Sequence, residues 1–240
     1  MTHASKRHRR NMQAHERLQR FRAYEATKLL EEKRKSEKAL SEAITTAPIT
    51  LAYAMHDGTP RKKLFSEIPS IKGEHIVLDR VVDGDADALR DLIKNPLVQR
   101  YLPTYLFEKQ FDDVYEAISL LYDDLYANKE SLILAIRTQD TGELTGLGEF
   151  YGLRDNLHKV SMGYRLRQCW WGHGIATEAA HLMVDYLYGE TDIEIITAST
   201  MVQNEASAHV LEKAGFIRTA RGVGEDWGFP EPTIVDKWFC

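Results

Sequence analysis

Arg167–Tyr188 reads RQCWWGHGIATEAAHLMVDYLY. Trp170 and Trp171 stand directly before Gly172 and Gly174, and apolar residues then fall at Ile175, Ala179, Leu182, Met183, Tyr186 and Leu187. That spacing predicts a helix with one apolar face. The segment before it, KVSMGYRLR from Lys159, predicts a strand. The stretch is a strand–turn–helix corner with two glycines in the turn. Glycine lets the backbone approach a ligand and adopt positive φ. The N–H groups of the first helical turn, aided by the helix dipole, then suit an anion such as a pyrophosphate. A bare corner with no ligand and a dinucleotide site both fit. For the second, Thr177 stands where G-x-G-x-x-G needs its third glycine, while an acidic residue, Asp192 or Glu194, follows about 20 residues on. No G-K-[ST] follows, so the turn is not a P-loop.

Working outward, LILAIRT from Leu132 and ELTGLGEFYGL from Glu143 predict strands around the turn Asp140-Thr141-Gly142. With the strand from Lys159 they form an antiparallel meander, which counts against a Rossmann start. Further upstream, HIVLDRV from His75 alternates as a strand, and DGDADALRDLIKNP predicts a short helix stopped at Asn95-Pro96. Phe111, Val114, Tyr115, Ile118, Leu121, Tyr122, Leu125 and Tyr126 keep helical spacing. Downstream come a strand, IEIITAST from Ile193, and a helix, NEASAHVLEKAGF from Asn204, with Gly215 as its C-terminal stop. Strands near 216–223 and 233–239 close the chain. The order predicts an α/β domain on a mixed sheet.

With 240 residues, 43% of them hydrophobic, the chain can form one domain plus an appendage. No apolar run approaches the ~20 residues of a membrane span. No secretory signal is visible, and two cysteines, Cys169 and Cys240, make neither a disulfide framework nor a metal cluster. The expectation is a protein of a reducing cytoplasm with no metal. Charge is uneven: residues 1–47 hold 12 Lys/Arg and 6 Asp/Glu, and residues 48–240 carry a net −11. Residues 1–47 lack Pro, Gly and a core-sized apolar face, and predict an exposed helix. We divide the chain into a basic helical extension and connector, 1–70, and a domain, 71–240. The default reading of the basic arm is a solvated helix. The alternative is contact with a ribosome or RNA.

A third reading of the corner comes from resemblance. Gly163-Tyr164, Leu166, Trp171-Gly172, Gly174 and Ala176-Thr177-Glu178-Ala179, followed by Asn204, Ser207, Leu211-Glu212-Lys213 and Gly215-Phe216, resemble the GNAT superfamily of N-acetyltransferases, and its RimJ/RimL-like branch in particular. The resemblance also takes in NPLVQRYLP from Asn95 and spans about residues 71–240. It implies a mostly antiparallel twisted sheet with splayed central strands and flanking helices. Acetyl-CoA would enter the splay as co-substrate. Its pantetheine arm would run along Tyr164, Arg165 and Leu166, with Asn204 and Ser207 as further contacts. Its pyrophosphate would meet Trp171, Gly172, His173, Gly174, Ile175, Ala176 and Thr177. The acceptor it implies is a primary amine, either a protein N-terminus or a small amine.

Transfer to an amine needs a neutral nucleophile, a stabilised oxyanion and a leaving thiolate that is protonated or stabilised. Relatives often carry an acid within the strand before the loop, where this chain has Ser161. Glu149 on the preceding strand is then the candidate base. A solvent-facing strand glutamate is the competing role. The superfamily's helical tyrosine is replaced by Leu211, so Ser207 or a water takes the acid's place. Two non-transferase readings compete: a GNAT-like binding or assembly module docking through the N-terminal helix, and a nucleotide-dependent oxidoreductase.

Overall fold

The computed structural model describes residues 61–101, 113–227 and 231–240. The basic arm and most of the connector lie outside them, as does Phe111. The described chain forms one sheet of eight strands: β1 (Ile71–Lys72), β2 (Ile76–Asp79), β3 (Ser131–Thr138), β4 (Leu144–Arg154), β5 (Lys159–Leu166), β6 (Ile195–Met201), β7 (Ile217–Glu225) and β8 (Thr233–Phe239). Their order is β1-β2-β3-β4-β5-β6-β8-β7, and only β5 and β6 pair in parallel. The helices are α1 (Ala86–Lys94), α2 (Pro96–Gln99), α3 (Val114–Leu120), α4 (Ile175–Glu190) and α5 (Glu205–Lys213).

Helices cover both faces of β3. Leu132, Leu134 and Ile136 join Phe150, Met162 and, from α4, Ala179, Met183 and Leu187. Ile133 and Ala135 join Leu147 and, from α1 and α3, Leu89, Val114 and Ile118. This double burial explains why LILAI is a continuous apolar run rather than an alternating one.

Three local features differ from the sequence expectation. Pro96 stops α1 but also opens α2: Asn95 Oδ1 accepts from Leu97 N at 2.9 Å, and proline at the first helical position loses no needed N–H. The long helix changes to π geometry over Leu121–Tyr126. There the Tyr122 hydroxyl accepts from Val81 N at 2.7 Å and donates to Ile133 O at 2.9 Å. Part of the stretch ahead of residue 71 also packs with the sheet domain. Leu64, 1% exposed, is part of the core, and Lys62 bridges to Thr191 in parallel.

Glu178 shows how α4 is seated. Its Oε1 accepts from His75 N at 2.8 Å and Ile76 N at 3.3 Å, and its Oε2 meets His75 Nδ1 at 3.1 Å. Partial burial opposes its charge. The hydrogen bonds from His75 and Ile76 outweigh that, and the carboxyl titrates below the usual glutamate range. A depressed folded pKa stabilises the fold above the unfolded value of about 4.3, and that contribution disappears as pH falls through the folded value. Glu178→Gln should therefore lower the urea midpoint at pH 7, and its gap from wild type should close as pH drops below 4. A gap that is constant with pH would show that the carboxylate charge contributes nothing.

Candidate active site

The parallel pairing of β5 with β6 is short. Lys159, Val160 and Ser161 face Ile195, Ile196 and Thr197, and there it ends. Ser161 Oγ and Thr197 Oγ1 lie 2.9 Å apart at this point. Beyond it β6 follows β8, pairing from Thr197↔Phe239 to Met201↔Val235, while β5 stays with β4. The two strands fork, and Met162 to Leu166 have no strand partner on the β6 side among the described residues. An open cleft lies in the fork.

Seven of the residues singled out from sequence line this cleft: Glu149, Gly163, Tyr164, Arg165, Asn204, Ser207 and Leu211. Glu149 pairs across β4–β5 with Gly163. Its position agrees with strand alternation, which puts Leu147, Glu149 and Tyr151 on the cleft face and sends Phe150 to the α4 side. Ser131 Oγ donates to Glu149 Oε1 at 2.5 Å. Burial pushes the Glu149 carboxyl upward, against the pull of Arg165 and of the Ser131 hydrogen bond. It is a half-buried acid with a raised pKa, the environment that suits a base acting near neutral pH. Arg165 is 7% exposed.

Tyr164 and Ser207 meet on the other side of β5. Their oxygens are 2.9 Å apart, and the tyrosine hydroxyl also reaches Ser207 O at 3.3 Å. Asn204 caps α5, its Oδ1 accepting from Ser207 N at 3.2 Å, and so fixes the start of the helix that carries Ser207. His209 is exposed and Leu211 is in the core.

The remaining predicted residues lie outside the cleft wall. Leu166 is buried, and its carbonyl is taken by Trp171 Nε1 at 3.0 Å. The exposed turn continues to α4 through Gly172 (φ 79°) and Gly174 (φ 81°), both left-handed. His173 turns its Nδ1 to Trp171 O at 2.9 Å and sets its ring against Trp170. Glu178 N is the first amide of α4 to find a helical carbonyl, that of Gly174. Among the described residues, the backbone N–H groups from Gly172 to Thr177 meet no acceptor. A cradle of amides at the start of a 16-residue helix has the geometry and dipole to accept an anion.

Sequence reasoning missed the far wall. Trp227, 4% exposed, lines the cleft with Ser199 and Tyr151. Its Nε1 donates to Glu225 Oε2 at 3.0 Å, and Lys237 Nζ meets Glu225 Oε1 at 2.6 Å and Ser199 Oγ at 3.2 Å. No local signal marks Trp227 in EDWGF, whereas Tyr151 was accessible as two residues on from Glu149.

A sequence profile of the acetyltransferase (GNAT) domain matches residues 75–217. The chain is 29% identical over 150 residues to the uncharacterised N-acetyltransferase YoaA of Bacillus subtilis, covering 62% of this chain and 82% of that protein. The same fold occurs in the ribosomal L7/L12 α-N-protein acetyltransferase RimL bound to coenzyme A, with a TM-score of 0.61 at 17% identity, covering 72% of this chain and 97% of that one. It occurs again in the spermidine N-acetyltransferase of Vibrio cholerae bound to CoA and spermine, with a TM-score of 0.58 at 18% identity, covering 70% and 96%.

Proposed function

The chain belongs to the acetyltransferase (GNAT) domain family and is an N-acetyltransferase, and from that premise we propose that it acetylates the α-amino group of a protein or peptide, as a member of the RimJ/RimL-like branch. The observation that carries this is the fork between β5 and β6 leading to the unclaimed amides of Gly172–Thr177.

The site fits acetyl-CoA. Gly172 to Thr177 would hold its pyrophosphate, and the free edge of β5 with Asn204 would hold the pantetheine. Bound there, acetyl-CoA supplies the thioester that activates the acyl group. Glu149 accepts the proton of the attacking amine, directly or through water. Burial raises the pKa of that carboxyl, and Arg165 and the Ser131 hydrogen bond pull it partly back. Ser207 acts at the leaving-group side, on α5.

Two arguments favour an α-amine over a polyamine. An α-amine has a pKa near 8 and gives up its proton more readily than a lysine-type amine near 10.4. Among the described residues, the carboxylate that lines the cleft, Glu149, also has the Arg165 charge acting on it. Little uncompensated negative charge remains to hold a polycation. To test this, the full-length protein and acetyl-CoA are incubated with a peptide N-terminus library and a small-amine panel, and acetyl gain is read by mass. Peptide α-amines should be acetylated. Transfer confined to polyamines would overturn the acceptor assignment, and acetyl-CoA binding without transfer to any amine would make the chain a binding module.

Gly174→Val should weaken acetyl-CoA binding by about tenfold or more, equal to 1.4 kcal/mol per decade. An added Cβ at Gly174 meets no atom within 4 Å, so the effect comes from the positive φ and from the branched side chain over the amides. Unchanged calorimetric affinity in the folded variant would remove the cradle from the account.

A further inference from the structure

We propose that the acceptor begins with a large apolar residue, whose side chain is received by Ile133, Leu147, Tyr151 and Trp227 in the cleft that holds Glu149. The inference rests on the reading of the chain as an α-amine acetyltransferase with Glu149 as base. It names the class of N-terminus that this site takes.

The register of the sheet sets the base inside an apolar frame. On β3 the cross-strand partner of Glu149 is Ile133, and on β5 it is Gly163. Leu147 and Tyr151 stand two residues to either side of Glu149 on β4 and share its face. All five line the cleft. Gly163 brings no side chain to this face. Among the described residues, a Cβ at Gly163 would meet only Tyr151 Cε1, at 3.6 Å, so the glycine keeps the floor beside Glu149 open. Ile133 and Leu147 are each 2% exposed and Trp227 4%, so the surface they turn to the cleft is apolar and scarcely wetted. Tyr101 and Met201 extend the same lining.

An amine that gives its proton to Glu149 sits about 3 Å from the carboxylate. In an N-terminal residue the side chain branches from the carbon next to that nitrogen, so it begins roughly 5 Å from the base. Opposite neighbours on one sheet face are about 4.5–5.5 Å apart. The side chain therefore starts at the distance of Ile133 and its neighbours. The peptide leaves through the open mouth of the cleft, which turns the side chain toward the floor. The polar atoms of the far wall are already engaged. Trp227 Nε1 donates to Glu225 Oε2 at 3.0 Å, Ser199 Oγ accepts from Lys237 Nζ at 3.2 Å, and Thr200 Oγ1 accepts from Trp238 Nε1 at 2.9 Å. A polar first side chain would lose water here and gain little in return. Arg165 stands opposite Leu147, and its charge acts on Glu149. An acidic side chain would set a second carboxylate beside Glu149, and a basic one a second cation beside Arg165.

The test is kcat/KM for a series of peptides that differ only in the first residue, measured with the full-length protein and acetyl-CoA. Peptides that begin with methionine, leucine or phenylalanine should exceed those that begin with glycine, serine, aspartate or lysine by about tenfold or more, the discrimination that a few methylenes in an apolar pocket supply. Trp227→Ala should bring the leucine-to-glycine ratio down toward one, and Trp227→Phe should keep most of it. A loss of activity common to every peptide cancels in that ratio. Should Trp227→Ala not fold, Tyr151→Ala carries the same comparison. A series in which glycine, serine or charged first residues do as well as the apolar ones overturns the inference and leaves α-amine acetylation standing. So does a ratio that is unchanged in the folded variant. Transfer to no peptide at all overturns the proposed function, and the inference with it.

Discussion

Glu149→Gln is expected to lower kcat by about 10²–10⁴-fold, the usual loss when a general base is removed. The amide preserves the shape of the carboxyl and can still accept from Ser131 Oγ, but it cannot take the amine proton. Acetyl-CoA affinity should barely change, because the amide cradle lies on a different part of the chain. The pH dependence carries a second signature. Only the deprotonated carboxylate is a base, and burial raises its pKa. The acid limb of the wild-type rate should lie above the ordinary glutamate value of about 4.3 and should be absent from the variant. The measurement is kcat against pH for both proteins, with the acceptor found by peptide profiling. A variant with near-wild-type kcat at pH 7 would remove Glu149 as base and leave the work to a water.

The largest loss of stability is expected at Arg137. Its Nε donates to Asp79 Oδ1 at 2.7 Å, its Nη2 to Asp85 Oδ2 at 2.7 Å and to Arg80 O at 3.0 Å, and its Nη1 also bonds Asp85. The guanidinium side chain is 11% exposed and that of Asp85 6%. Hydrogen bonding to Asp85 comes first among the influences that raise the arginine further, with burial opposing. Arg137→Met leaves Asp85 buried without its cation, and breaking such a pair costs about 3–5 kcal/mol. Urea unfolding at pH 7 measures it. A loss under about 1 kcal/mol would place the pair with surface ion pairs. Arg137→Lys should recover only part of the loss, because an ammonium cannot make the forked contact with Asp85.

The strand–turn–helix corner was the most legible part of the chain. α4 begins at Ile175 and its turn has two left-handed glycines, because apolar spacing and paired glycines are local signals. The helix at Asn204 and its capping residue were legible for the same reason. The fork was not. Periodicity assigns β5 and β6 as strands but does not say that their pairing ends at Ser161 and Thr197, a result of β6 turning to follow β8. The resemblance supplied that feature. Pro96 was half legible: it stops one helix, as expected, and its role in starting another depends on the Asn95 cap. Glu149 could be reached from sequence because alternation fixes which residues share its face. The Tyr164–Ser207 contact could not, since it joins positions 43 apart on a strand and a helix. Trp227 reaches the cleft from just past β7, which lies beyond β8 from β6 in the sheet.

The central claim is that acetyl-CoA occupies the fork between β5 and β6 with its pyrophosphate on the amides from Gly172 to Thr177. Isothermal titration of acetyl-CoA into the full-length protein tests it most directly, with NAD titrated in parallel and Gly174→Val as the matched variant. We predict saturable one-to-one binding of acetyl-CoA, no binding of NAD, and affinity at least about tenfold weaker in the variant. No heat of binding from acetyl-CoA with folded protein, or equal affinity in Gly174→Val, would contradict the account.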